Sequence, residues 1–173
     1  MRSRSLVLLL ACLVGSLAGQ NDTWHRYRND GGNFSVLMPV DPKESSTTAQ
    51  GDVPSSHTIQ AITDGVGYTV IYVAHSEEQK VDEATFRVYR DSFMKGLPSC
   101  EQVTESAASP AAPGYVGQWY RMTCVVSGKK MVFMGNLYWG KRYAYAVMVI
   151  FGAAASDPPS ATKFTGSFTP GAS

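Results

Sequence analysis

The stretch 142–151, RYAYAVMVIF, constrains the fold more than any other part of the chain. Read as a strand, it sorts into two sets. Tyr143, Tyr145, Val147, Val149 and Phe151 share one face, and Ala144, Ala146, Met148 and Ile150 share the other. Both sets are apolar. A strand with no polar face must be central in its sheet and covered above and below. The rest of the chain has to supply the neighbouring strands and both covering layers.

The punctuation before and after this strand is regular. WHRYR, NDGG and NFSVLMP read as strand, tight turn and strand, with Asn29, Asp30 and Gly31 as turn formers able to take positive φ. Pro39 and Pro42 stop the second strand, and 41–56 is polar enough to read as a long exposed loop. HTIQAIT-DG-VGYTVIYVA is the clearest hairpin. Asp64-Gly65 suits a two-residue type I′ turn, which sets Ile59 opposite Val70 and Ala61 opposite Tyr68. A helix follows, with Asp82 as N-cap, Glu83 in its first turn and Phe86, Tyr89, Phe93 and Leu97 as its buried stripe. Gly96 and Pro98 end it. Further strands are expected at 100–106, 116–126, 131–139 and 142–151. A last helix is expected with Asp157 as cap, Pro158 as first residue and Phe164 inward. The expectation is an α+β domain, an antiparallel sheet flanked by helices in the order ββββ-α-ββββ-α.

The opening WHRYRNDGGNFSVLMPVDPKE, with its aromatic-basic strand, Phe-x-Val-x-x-Pro strand and polar loop, resembles that of PsbP-like domains. KFTGSF, Lys163 to Phe168, is similar to the last helix of that superfamily running into a Ser-Phe ending. The resemblance extends in topology over nearly the whole mature chain. It implies an α/β/α sandwich, an extracytoplasmic or lipid-anchored location and a role that is mostly non-enzymatic. No metal or partner residue of those relatives carries over position by position.

Residues 1–18 read as a secretory signal: Arg2 and Arg4, an apolar run from Leu6 to Val14, then small residues. The run is too short to span a bilayer. Ser16-Leu17-Ala18 offers an ordinary cleavage site, leaving residues 19–173 as a single domain. Leu9-Leu10-Ala11-Cys12 resembles a bacterial lipobox, which would acylate Cys12. Leu10 is not favoured there, and the apolar run continues past Cys12, so ordinary secretion is preferred and lipidation stays the alternative. In an oxidising compartment Cys100 and Cys124 remain as a pair. An antiparallel pairing that turns about Ala112 sets them opposite each other, within bridging distance. Two buried free thiols would be the other reading.

Charge excludes some partners. Of 15 basic residues Arg2 and Arg4 lie in the leader, leaving 13 against 14 acidic. That balance favours neither nucleic acid nor an anionic membrane surface. GNLYWGKR, Gly135 to Arg142, has P-loop spacing up to its last position, but Arg142 replaces the Mg²⁺-binding hydroxyl and a strand follows instead of a helix. GVGYTV from Gly65 is a turn between strands. His25, His57 and His75 are scattered, and Glu77-Glu78 and Asp82-Glu83 read as a solvated approach to the helix. No catalytic, metal or cofactor residue is assigned. Lys129-Lys130 and Lys141-Arg142 cap successive hairpins, so they fall at opposite ends of the sheet. Asn21-Asp22-Thr23 and Asn33-Phe34-Ser35 match glycosylation sequons, which count only in a eukaryotic secretory pathway.

Aromatic residues are the remaining signal. Tyr115, Trp119, Tyr120, Tyr138, Trp139, Tyr143 and Tyr145 lie on three successive strands and are assigned mainly to the core. Trp139 and Tyr143, beside the Gly140-Lys141 tip, are the candidates for meeting a partner. The expected function is a secreted or periplasmic, non-catalytic interaction domain docking a protein partner at the cell envelope. A small-ligand carrier with a pocket between helix and sheet is the alternative, as is a lipoprotein anchored through Cys12.

Overall fold

The computed structural model describes residues 24–48, 55–97, 99–108 and 112–171. The leader, Cys12, Asn21 and Pro98 lie outside the described residues. Ten strands and two helices follow in the order β1 His25–Asn29, β2 Phe34–Met38, β3 Lys43–Thr47, β4 Ser56–Thr63, β5 Val66–Ala74, α1 Glu83–Gly96, β6 Cys100–Ala107, β7 Val116–Val126, β8 Lys129–Trp139, β9 Tyr143–Gly152, α2 Ser160–Ser167 and β10 Thr169–Pro170. The fold is α+β and dominated by antiparallel strands.

Seven strands form the main sheet in the order β3-β4-β5-β9-β8-β7-β6. β9 occupies its middle, as its two apolar faces require, and Ala144–Phe151 are all buried. The face bearing Ala146, Met148 and Ile150 packs with Phe133, Leu137, Tyr120 and Met122 under α1. The opposite face, with Tyr145, Val147, Val149 and Phe151, packs against Phe34, Val36, Met38, Phe164 and Phe168. One layer is thus a helix. The other is a second, three-stranded sheet, β1-β2-β10, joined by α2.

That second sheet departs from the expected single sheet with ββββ-α-ββββ-α order. β1 and β2 leave the main sheet, β3 occupies part of the expected 41–56 loop, and β10 returns to pair Thr169 with Ser35 and Pro170 with Phe34. Both extra strands are recruited by a neighbour's unsatisfied ladder rather than by an apolar pattern of their own. All five residues of β3 are exposed.

The local turns follow from their residues. Asp64 and Gly65 have φ of 50° and 74°, both positive as a type I′ turn requires, and Ile59 faces Val70 while Ala61 faces Tyr68. The β1–β2 turn is built differently from expectation. Positive φ falls on Asn33, at 49°, not on Asn29, Asp30 or Gly31. Asn29 Oδ1 instead accepts from Gly32 N at 2.6 Å. Gly32 is needed for space, since a Cβ there would meet Phe34 and Tyr72 at 2.8 and 2.9 Å.

α1 starts as anticipated, with the Asp82 carboxylate accepting from Thr85 N at 2.8 Å, and ends at Gly96. Phe86 is its one fully buried residue, and Tyr89, Phe93 and Leu97 pack half-buried beside it. α2 corrects the expectation. It begins at Ser160 after Pro159, with no side-chain cap, and Pro158 precedes it. Asp157 is taken by Arg121 of β7 in a two-pronged pair at 2.8 and 3.3 Å.

The Cys100–Cys124 disulfide is present, with the two residues directly opposed and Cα atoms 3.9 Å apart. Val125 N donates to Ser99 O, which makes the next pair, 100 and 124, a non-hydrogen-bonded one where side chains approach most closely. The register then slips by one residue between Glu101 and Thr104, so Thr104 faces Arg121. The pairing that placed the cysteines together therefore holds only at their end of the strand pair.

Candidate functional site

Strand pairing gathers a tyrosine-rich patch that no local stretch of sequence displays. Tyr72 of β5 and Tyr145 of β9 are Cα partners, and both point toward the second sheet. Tyr143 lies two residues before Tyr145 with its ring 5.9 Å away, nearly parallel. Tyr115 meets Tyr145 at 5.7 Å. His57 of β4 stacks on Tyr72 at 4.6 Å, and Phe34 of β2 bridges Tyr72 and Tyr145, 5.9 Å from each. Aromatic contact thus runs unbroken along the seam between the two sheets and comes out at the end where β4 begins and β5 finishes.

On its β3 side the patch is polar. Tyr27 of β1 donates its hydroxyl to Glu44 of β3 and accepts from Asn29 Nδ2 at 3.1 Å. Tyr145 and Tyr72 are buried, forming a floor, while Tyr27, His57 and Tyr143 are half-buried and Glu44 is exposed. The Tyr145 hydroxyl donates to Gly32 O at 2.8 Å, and Tyr115 donates to Gly171 O at 3.3 Å. Burial, then the hydrogen bond to Glu44, pushes Tyr27 up to about 12. Burial raises Tyr72 too, with the negative charge of Glu44 and the neighbouring Tyr143 adding to it. These phenols stay neutral hydrogen-bonding groups at physiological pH.

Trp139 and Tyr143 go to opposite faces. Trp139 is on the α1 side, between His75 at 4.5 Å and Tyr89 at 5.2 Å, with its indole N–H donating to Lys80 O at 3.0 Å. It holds the approach to α1 onto the sheet. The Gly140-Lys141 tip is tied to the same segment, because Gln79 N and His75 N donate to Lys141 O and Arg142 O, and Arg142 pairs with Glu78 at 3.1 Å. His75 Nε2 is buried without a hydrogen-bond partner, and burial lowers its pKa.

The remaining candidates are dispersed. His25 pairs with Asp41 at 3.3 Å, and His57 and His75 lie on separate aromatic stacks. Among the described residues no group of three or more His, Cys, Asp or Glu is placed to hold a metal ion. Gly135 to Arg142 runs through β8 into the β8–β9 connection, so no helix N-terminus follows it. Beneath α1, Phe93, Tyr120, Met122, Phe133 and Met148 line a cavity of about 10 Å³, the room of a single water. Among the described residues no helix is long and apolar enough to cross a membrane.

Tyr143, Tyr145 and Tyr115 stand out in the sequence as aromatic residues. Tyr27, Tyr72 and Glu44 do not, since Glu44 lies on a strand that reads as loop and Tyr27 reaches the patch only by the folding of one sheet over another. A scan against protein families and a search of curated proteins return no match.

Proposed function

We propose that this is an extracytoplasmic, non-catalytic interaction domain that docks an envelope or membrane-associated protein through the tyrosine-rich end of the intersheet seam. One observation carries the reading: Tyr27, His57 and Tyr143 remain half-exposed along the intersheet seam, on a floor of buried rings fixed by strand pairing. Rigid, amphipathic aromatic residues of this kind bind partners at low entropic cost. The disulfide is in keeping with an oxidising compartment. The resemblance to PsbP-like domains belongs to the same reading, as does attachment through Cys12 should that residue become the mature N-terminus. A carrier role is the second reading, since an open cleft of about 490 Å³ lies between α1 and β6, lined by Arg90, Asp91, Met94, Lys95, Cys100 and Glu105.

The test is photo-crosslinking in the native host from a probe residue at position 143, with one at 88 as control. Val88 is 67% exposed on α1, away from the seam. A discrete adduct from 143 alone supports docking through this end. No adduct from 143, or equal adducts from both, overturns it.

A further inference from the structure

The Cys100–Cys124 bridge has one closed end and one open end. Cys124 of β7 is fully buried in the apolar cluster beneath α1. Cys100 of β6 is half-buried and lines the cleft of about 490 Å³ between α1 and β6, together with Met94, Lys95, Leu97 and Ser99. Sites of this size take small molecules. The strand that carries Cys100 is also loosely held. β6 is the last strand of the sheet, and just past the bridge its pairing with β7 lapses between Glu101 and Thr104. An edge interrupted in this way opens locally at lower cost than the centre of a sheet. The sulfur within reach of an incoming thiol is therefore that of Cys100, and the sulfur it displaces is that of Cys124.

We propose that the bridge is a thiol-exchange site, entered through this cleft by a small thiol of the glutathione or cysteine class, which becomes bonded to Cys100. The incoming thiolate sulfur bonds to Cys100 Sγ as the Sγ–Sγ bond breaks, and the bonding pair leaves with Cys124 Sγ, which takes up a proton. The incoming sulfur is oxidised and Cys124 is reduced, so the exchange needs no further oxidant or reductant. The freed Cys124 stays in apolar surroundings, where a thiolate is disfavoured. That slows the attack, because Cys124 must leave as a thiolate, and it slows reclosure, because Cys124 must become one again. The adduct on Cys100 thus forms slowly and lasts. While it lasts, β6 is untied from β7. The proposal is independent of the docking reading, since the cleft and the tyrosine seam belong to opposite faces of the main sheet.

The test is to incubate the folded domain with glutathione, without denaturant, and to stop the reaction with acid at early times for intact mass and peptide mapping. One glutathione is expected on Cys100, with Cys124 as a free thiol, at a rate that rises in proportion to glutathione concentration. Ser99→Trp and Lys95→Trp each fill the cleft from an exposed position and should slow the reaction about tenfold, because exchange rates follow access. Val88→Trp, at a site 67% exposed on α1 and not lining the cleft, should leave the rate unchanged. Melting temperatures of the three variants show whether each is folded. An adduct on Cys124, a rate independent of glutathione concentration, or reaction only once denaturant is added overturns the proposal. So does an unchanged rate in both folded cleft variants. Reduction to two free thiols with no adduct caught at any time overturns it as well.

Discussion

Single atoms decide several properties of this fold. A Cβ at Gly135 would lie 1.9 Å from Val147 O, which belongs to the neighbouring strand's backbone and cannot yield as a side chain tip can. Gly135→Ala should therefore cost about 3 kcal/mol, whereas Gly152→Ala meets nothing within 4 Å and should be nearly neutral in the same chemical denaturation series. His75 makes a different demand. Its ring packs half-buried against Trp139, and its folded pKa lies below the unfolded value. The unfolded chain then binds more protons, so stability is full above the unfolded pKa of about 6.5 and falls as pH drops through the folded one. A series of melting temperatures from pH 7.5 to 5 should fall, and His75→Gln should flatten the slope. An unchanged slope would mean that this histidine is solvated in both states. Tyr145→Phe leaves Gly32 O without its 2.8 Å partner and should cost about 1 kcal/mol.

At the level of elements, two fastenings carry different loads. α1 is held by one fully buried side chain, so Phe86→Ala should destabilise by about 3–5 kcal/mol in denaturant titrations. The disulfide joins edge strand β6 to β7, and Cys100→Ser with Cys124→Ser should cost about 2–5 kcal/mol. A loss confined to amide protection in β6 would show that the bridge fastens this edge alone. The elements visible in the sequence are those whose signal is local. Asp64-Gly65 specifies its own hairpin, Asp82 its own helix start, and the paired apolar faces of β9 its central position. β3 is invisible because Lys-Glu-Ser-Ser-Thr has no apolar side to bury, and it becomes a strand only by pairing with β4. Asp157 misleads for the opposite reason. It has the chemistry of a cap, yet Arg121, 36 positions earlier, takes its carboxylate. The cysteine register is legible for two rungs and then slips at the bulge, whose position nothing nearby announces.

On the scale of the whole molecule, the candidate site is a product of assembly. Tyr27, Glu44, Tyr72 and Tyr143 span more than a hundred residues and come from four strands in two sheets. Sequence patterns report which residues are aromatic but not which sheet will fold over which, so only the β9 contribution could be anticipated. The two margins of the main sheet also have their own character. At one stands β3, with charged and hydroxyl residues throughout, and at the other β6, bulged and bridged to its neighbour. Replacing Ser45 and Thr47 with valine should raise light scattering at high protein concentration while leaving the melting temperature within about 2 °C, as expected for exposed positions. Unchanged scattering would mean that the margin is protected by something other than its polarity. A margin of hydrated hydroxyls and charges gives an approaching chain no dry surface on which to add an eighth strand. The sheet is finished at seven, and crowding such molecules together should thicken the solution without seeding fibres.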